Sequence, residues 1–172
     1  IRVCRVADNM RNVAVTEGDK VEAQMKFGWE IDAYPVNEIA EYVQDVSQGD
    51  IDVLVEEYYN KYDMILDGHD PEEFKKHVAV QAGIEIGFER FLEEKNYQAI
   101  VTHFGDLGSL KQLPGLAIQR LMEKGYGFGG EGDWKTAAMV RLMKIMAAGK
   151  KDARGTSFME DYTYNRDLQS SD

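Results

Sequence analysis

The sequence has few of the residues that would link it to an oxidising compartment, a membrane or nucleic acid. Its 172 residues include one cysteine, Cys4, so no internal disulfide can form, and a small buried apolar side chain in a reducing cytoplasm is expected. No stretch approaches the roughly 18 uncharged apolar residues of a membrane span, and no signal-peptide pattern opens the chain. Basic residues are also in deficit: 20 against 31 acidic residues give a formal net charge of −11, which disfavours nucleic acid and anionic membranes as partners. We therefore expect a cytoplasmic protein that binds neither.

Histidine is scarce as well. His69 lies in a polar stretch and His77 within a predicted helix, where a partly exposed structural role is expected. His103 directly follows a predicted strand, which makes it the better candidate for a pocket residue. The sequence shows no Ser/His/Asp arrangement, and nothing near Cys4 indicates an activated thiol, so nucleophilic catalysis is not indicated.

The length of the chain allows a single good hydrophobic core, so we expect one domain. The pattern of apolar residues predicts that this domain is α/β. Residues 1–6, 29–34 and 99–102 have the apolar runs of strands, residues 13–16 alternate like a short returning strand, and residues 157–159 resemble a last strand. Strand and helix alternate through the second half. We therefore expect one doubly wound, mainly parallel sheet with helices on both faces.

Helical periodicity predicts a series of helices between and after these strands. Two of them are expected to begin with Asn37 and Asp50 as caps, and a long one runs from Pro71 to about residue 94. Pro114 starts another helix, and Asp133 caps one over residues 134–148. The last helix is apolar on nearly every side, so it should be buried in the protein or against a partner.

Two glutamates stand where a predicted strand ends in a turn. Glu131 lies in the glycine-rich run 125–134, and Glu160 lies within residues 156–162. Because the crevice beyond the carboxyl ends of parallel strands is open, a pair of carboxylates there looks like half of a metal or acid/base site. The alternative is that each glutamate is an ordinary acidic residue exposed at the protein surface. A hard cation such as Mg²⁺ or Mn²⁺ would need further ligands, usually histidines or waters.

The glycines at 125, 127 and 130 also match the spacing of a dinucleotide-binding fingerprint. That fingerprint needs a strand before it and a helix that opens within it, so that the pyrophosphate meets backbone amides. Here a predicted helix precedes the run. The glycines are better explained as turns into and out of a short strand, and no nucleotide binding is expected.

Several blocks of the sequence resemble the middle of bacterial L-arabinose isomerase, across residues 1 to about 165. These blocks are residues 2–5 (RVCR), 8–16 (DNMRNVAVT), 18–21 (GDKV), 111–117 (KQLPGLA), 130–137 (GEGDWKTA) and 156–164 (TSFMEDYTY). The resemblance implies that residues 1–165 form a central α/β domain like that of the family. Residues 166–172 do not follow the family pattern and are interpreted as a divergent or truncated tail, and residues 103–109 (HFGDLGS) differ from the more familiar version.

This resemblance implies an aldose–ketose isomerase that interconverts L-arabinose and L-ribulose, and often D-galactose and D-tagatose, with Mn²⁺ or a similar cation. The family holds its metal with two glutamates and two histidines. The glutamates match Glu131 and Glu160, which are also taken as the acid/base pair, and positions matching Met10 and Phe104 line the sugar pocket. No histidine of this chain matches either histidine ligand, so the resemblance implies an incomplete site.

The resemblance also implies partners. Family members carry N-terminal and C-terminal domains that complete the sugar and metal site, and they form trimers or hexamers. We therefore expect the isolated chain to bind Mn²⁺ weakly and to lack activity. A non-catalytic assembly or sugar-binding module on the same fold is the alternative. The preferred sugar, the native metal and the choice of base between Glu131 and Glu160 stay open.

Overall fold

The computed structural model describes residues 1–150, which form four strands and six α-helices. The strands are β1 (Arg2–Val6), β2 (Glu30–Tyr34), β3 (Ala99–Val101) and β4 (Gly127–Gly129). The helices are α1 (Lys20–Phe27), α2 (Val36–Gln44), α3 (Gln48–Lys61), α4 (Pro71–Glu94), α5 (Gly115–Glu123) and α6 (Trp134–Ala147). The strand predicted at 157–159 and the tail at 166–172 lie outside the described residues.

All four strands are parallel and are ordered β2-β1-β3-β4. The first strand is therefore internal, with Val3 paired to Ile31 of β2 on one side and to Ala99 of β3 on the other. The chain winds from β1 outward in one direction to β2, and from β3 outward in the other direction to β4. This confirms the doubly wound, mainly parallel sheet.

Alternate side chains of the central strands point to opposite faces, and each face is covered by helices. On one face, Cys4 and Ile100 pack in a cluster with buried residues of α2, α4 and α5, among them Phe88 and Leu121. On the other face, Val3 and its neighbours in β3 pack with α1 and α6. Each large side chain so buried contributes about 1.5–3 kcal/mol. Helices on both faces were expected, and the structure confirms them.

The helix starts that rest on strong local signals are confirmed. Pro71 is the first residue of α4, and the Asp70 carboxylate accepts hydrogen bonds from the backbone N–H groups of Glu72 and Glu73, both at 3.0 Å. Asp133 caps α6 in the same way. The glycine-rich run behaves as expected too, since β4 lies inside it and α5 precedes it, which is not the order of a nucleotide-binding turn.

The returning strand predicted at 13–16 is wrong. Residues Ala14–Thr16 form a 3-10 turn, and the Thr16 hydroxyl donates to the Val13 carbonyl at 2.8 Å. The sequence pattern also did not indicate α1, which begins after Asp19, whose side chain accepts from the Glu22 amide at 2.9 Å. An acid at the cap with a glutamate three residues later is a signal that could have revealed this helix.

Two predicted caps are also wrong. The second helix begins at Val36 directly after Pro35, and the Asn37 side chain instead accepts a hydrogen bond from the Ser109 amide at 3.0 Å. The third helix is capped by Ser47, whose hydroxyl accepts from the Asp50 amide at 3.2 Å. In both cases a neighbouring residue fixes the start of the helix before the predicted cap is reached.

Helix α6 is buried on one side only within this chain. Its buried residues Trp134, Ala137 and Ala138 are at most 2% exposed, and Val140 is 9% exposed. Met139, Met143, Ile145 and Met146 are between 44% and 56% exposed. Burial of the whole helix is therefore not seen within residues 1–150. Over the same residues, no helix combines the length and the apolar character needed to cross a bilayer.

Candidate functional site

The sheet has a topological switch point between β1 and β3. The chain leaves β1 toward α1 on one face and leaves β3 toward α5 on the other face, so the loops that follow the two strands separate. A cleft of about 760 Å³ lies between these loops, lined by residues 8–12 and 103–106. We call it the switch-point cleft. Ligands of doubly wound domains bind in such a crevice, because it is open above a rigid sheet.

A second cleft of about 360 Å³ lies beside it and contains Glu131 in its lining. We call it the glutamate cleft; its other lining residues are Thr102, Phe104, Leu113, Pro114, Gly115, Ile118, Gln119, Phe128 and Gly130. The Phe104 side chain lines both clefts and is 50% exposed. The structure therefore brings three of the four candidate residues, Met10, Phe104 and Glu131, to one edge of the sheet. Glu160 lies outside the described residues.

The loops after β1, β3 and β4 are joined by backbone hydrogen bonds. The Met10 amide donates to the Glu131 carbonyl at 2.9 Å, and the Gly132 amide donates to the Thr102 carbonyl at 3.1 Å. These bonds hold the three loops together at the edge of the sheet where both clefts lie. Groups held on rigid strand ends keep the geometry that binding or catalysis requires.

Glu131 itself has an unusual backbone conformation for a residue with a side chain. Its φ is +57°, in the left-handed region, within a tight turn closed by the Asp133 amide and the Gly130 carbonyl at 2.8 Å. Such a conformation costs about 1–2 kcal/mol for a residue other than glycine. Strained residues of this kind cluster at ligand-binding and active sites, where the surrounding structure holds them. The strain adds to the reasons for regarding Glu131 as a site residue.

A buried arginine anchors the wall of the switch-point cleft. Arg5 is 7% exposed, and its Nη2 lies 3.0 Å from Oδ1 of Asp8, which also accepts the Asn9 amide at 2.9 Å. Neither Arg5 nor Asp8 was among the residues predicted for the site. The sequence does contain a signal for this pair. Arg5 is a charged residue inside the apolar run 1–6, and the acidic Asp8 follows three residues later.

His103 and His77 lie in the surroundings expected for them. His103 lines the switch-point cleft, its Nδ1 accepts the Gly105 amide at 3.0 Å, and its ring is stacked on Phe104 with centroids 5.8 Å apart. His77 is an exposed residue of α4 whose Nδ1 lies 3.1 Å from the Gln112 side-chain nitrogen, in keeping with a structural role.

Residues 1–150 do not by themselves fit a complete metal centre. No group of three or more His, Cys, Asp or Glu side chains in this part of the chain is arranged to hold an ion. Of the metal ligands that the resemblance implies, the described residues supply Glu131 alone. A single carboxylate binds a hard divalent cation only weakly.

The fold and the two clefts define a doubly wound α/β domain with an open crevice at its switch point. Residues 2–149 match the family model of the L-arabinose isomerase central domain, and the chain belongs to this family.

Relatives with the name L-arabinose isomerase support the assignment. The enzyme of Geobacillus kaustophilus is 53% identical over 165 residues, which are 96% of this chain and 32% of the relative. L-arabinose isomerase 1 of Clostridium acetobutylicum is 56% identical over 164 residues, 95% of this chain and 33% of the relative. The enzyme of Escherichia fergusonii is 52% identical over 165 residues, with 96% and 33% covered. The chain thus spans about a third of the length of the curated relatives it matches.

Proposed function

We propose that this chain is the central part of an isomerase that interconverts L-arabinose and L-ribulose, with D-galactose and D-tagatose as a second pair. Its family membership supports the proposal. The structural observation that supports it most directly is that Met10, Phe104 and Glu131 lie at one edge of the sheet. The two clefts combine apolar and aromatic walls with several polar side chains. A polyhydroxylated ligand needs this combination, because its C–H faces pack on apolar groups while its hydroxyls form hydrogen bonds.

The proposed roles of Glu131 and Glu160 follow from the chemistry of aldose–ketose exchange. Moving the carbonyl from C1 to C2 requires a base that removes a proton from C2 and an acid that returns one to C1, through an enediol. A carboxylate held at a strand end is suited to both transfers, because its position is fixed relative to the sugar. We assign the two glutamates to this acid/base work and leave their order open.

A divalent cation, Mn²⁺ or a similar ion, completes the proposal. When bound, it would polarise the sugar oxygens and stabilise the negative charge of the enediol. We assign Glu131 and Glu160 to its ligands, with further ligands supplied from outside this chain. Because two carboxylates alone bind such an ion weakly, the isolated chain should bind Mn²⁺ poorly and should not turn over sugar.

The flanking domains, the oligomeric state and the cellular compartment are also proposed. The chain spans about a third of its relatives, which agrees with flanking N-terminal and C-terminal domains that complete the site. We propose a homo-oligomer, a trimer or a hexamer, in the cytoplasm.

The proposal is tested by Mn²⁺ titration and an L-arabinose to L-ribulose assay on two proteins: the 172-residue chain, and the chain with flanking domains restored. Only the second should bind Mn²⁺ tightly and turn over sugar. In it, Glu131→Gln should abolish turnover, because the amide cannot accept the proton. Glu56→Gln, on an exposed position of α3, is the matched control and should leave turnover unchanged.

Two results would contradict the proposal. Tight Mn²⁺ binding with turnover by the 172-residue chain alone would refute the incomplete site. Sugar binding without turnover by the protein with restored domains would identify a non-catalytic sugar-binding or assembly module instead.

A further inference from the structure

The ring of His103 is held in one orientation at the rim of the switch-point cleft. Its Nδ1 accepts a hydrogen bond from the Gly105 amide at 3.0 Å, and its face is stacked on Phe104. Because Nδ1 uses its lone pair as an acceptor, the proton of the neutral imidazole must be on Nε2. Within residues 1–150 no hydrogen bond from Nε2 is formed. The backbone therefore fixes His103 as a donor at its outer nitrogen.

The absence of a side chain at residue 105 makes this ring position possible. A Cβ atom built on Gly105 would lie 2.7 Å from Cε1 of His103 and 3.2 Å from Nδ1. Any other residue there would displace the ring. His103 and Gly105 thus act as one unit, in which the glycine both donates to the imidazole and leaves space for it.

We propose that His103 binds the ligand of the switch-point cleft by donating a hydrogen bond from Nε2 to a hydroxyl or carbonyl oxygen of a polyhydroxylated molecule. The inference rests on the function proposed above for the same cleft. It assigns His103 to binding and positioning of the sugar, separate from the proton transfers assigned to the glutamates. Met10 lies across the cleft, and Phe104 provides an aromatic wall beside the imidazole.

Two substitutions separate this role from a purely structural one. In His103→Asn, the amide group occupies the place of Nδ1, so its oxygen can still accept from Gly105 but the outer donor is lost. In His103→Gln, the amide nitrogen reaches the place of Nε2, so the outer donor is kept. Loss of one such hydrogen bond corresponds to about a tenfold change in affinity.

The experiment measures L-arabinose binding by calorimetry, and kcat and KM for isomerisation, on the protein with flanking domains restored. We expect His103→Asn to weaken binding and raise KM about tenfold, and His103→Gln to stay within about threefold of the unmodified protein. Gly105→Ala should also weaken binding, because it displaces the ring. Gly49→Ala, where an added Cβ meets only the Ser47 hydroxyl at 3.9 Å, is the control and should change neither quantity.

The outcomes distinguish failure of the role of His103 from failure of the isomerase proposal. Binding and KM that are unchanged in His103→Asn would overturn the role of His103 and leave the isomerase proposal standing. The role of His103 is also overturned if His103→Gln loses affinity while His103→Asn keeps it. In that case the hydrogen bond from the Gly105 amide would matter and the donor at Nε2 would not. An unmodified protein that binds sugar without turnover, and loses affinity in His103→Asn, would overturn the isomerase proposal alone. No sugar binding by the unmodified protein would overturn both.

Discussion

Gly132 lies against the backbone of Asn9, so close that a Cβ atom on residue 132 would overlap the Asn9 Cα and approach the Asp8 carbonyl to 2.6 Å. The loop after β4 and the loop after β1 are therefore packed backbone to backbone. Only glycine permits this approach, and the φ of +77° at Gly132 favours glycine for a second reason. This contact holds the loop that carries Glu131 against the loop that carries Met10.

Gly132→Ala should lower the free energy of unfolding by about 3 kcal/mol, because an overlap is added to the cost of a left-handed alanine. Gly68→Ala is the matched control, since Gly68 has a φ of +82° and no atom within 4 Å of an added Cβ. It should cost only about 1 kcal/mol. Urea unfolding followed by circular dichroism measures both, and equal losses would show that the contact with Asn9 does not matter.

A buried network of charged and polar side chains joins helices α3, α4 and α5. Glu85 is fully buried, and its Oε2 accepts from Arg120 Nε at 2.7 Å and from the Tyr58 hydroxyl at 2.5 Å. The Lys124 ammonium lies 3.0 Å from the other carboxylate oxygen. The charge of Glu85 is tolerated in the core only because these partners surround it.

Arg120→Met should lower the free energy of unfolding by about 3 kcal/mol, because it leaves a buried carboxylate with too few partners. Adding Glu85→Met to it should recover most of the loss, since the uncompensated charge disappears. The exposed pair Lys61–Glu123, 2.8 Å apart, is the control, and Lys61→Met should hardly move the unfolding midpoint. Purely additive effects of the two core substitutions would contradict the prediction.

Tyr58 predicts how stability changes with pH. Burial, and then the hydrogen bond to Glu85, raise the pKa of the Tyr58 hydroxyl above its ordinary value of 10. A group whose pKa is higher in the folded state stabilises the fold below the unfolded pKa and loses that contribution as pH rises above it.

Tyr58→Phe should therefore be less stable than the unmodified chain near neutral pH, where it lacks the hydrogen bond. Above pH 10 the difference should shrink by about 1.4 kcal/mol per pH unit, because residue 58 ionises on unfolding only in the unmodified chain, while the other tyrosines titrate alike in both proteins. Urea unfolding of both proteins at a series of alkaline pH values measures this, and a constant difference would contradict it.

Cys4 should be chemically inert in the folded chain. Burial, with smaller effects from Asp32 and Glu38, raises the pKa of its thiol, so the reactive thiolate is suppressed. Iodoacetamide at mildly alkaline pH should modify the unfolded chain readily and the folded chain very slowly. Because this is the single cysteine, mass spectrometry reports its modification directly. Equal rates in the two states would show that Cys4 is accessible.

The helices that the sequence predicted well are those with local stop and start signals. Pro71 with Asp70 before it, and Asp133 after the glycine run, each define a helix start through contacts within a few residues. The first helix was missed because Ala23 is its one buried residue, so it has almost no apolar periodicity to detect. Asn37 and Asp50 are residue types that often cap helices, but Pro35 and Ser47 come before them and already mark the helix starts.

The sequence by itself determined the class of fold, the strand ends that carry His103 and Glu131, and the resemblance that names the family. These depend on local patterns and on matching residues. Only the tertiary structure decided that β1 and β3 are neighbours, that Met10 and Glu131 share a hydrogen bond, and that Arg5 is buried beside Asp8. Contacts between residues so far apart in the chain arise from the pairing of strands and the packing of helices, and no local pattern specifies which distant segments will meet.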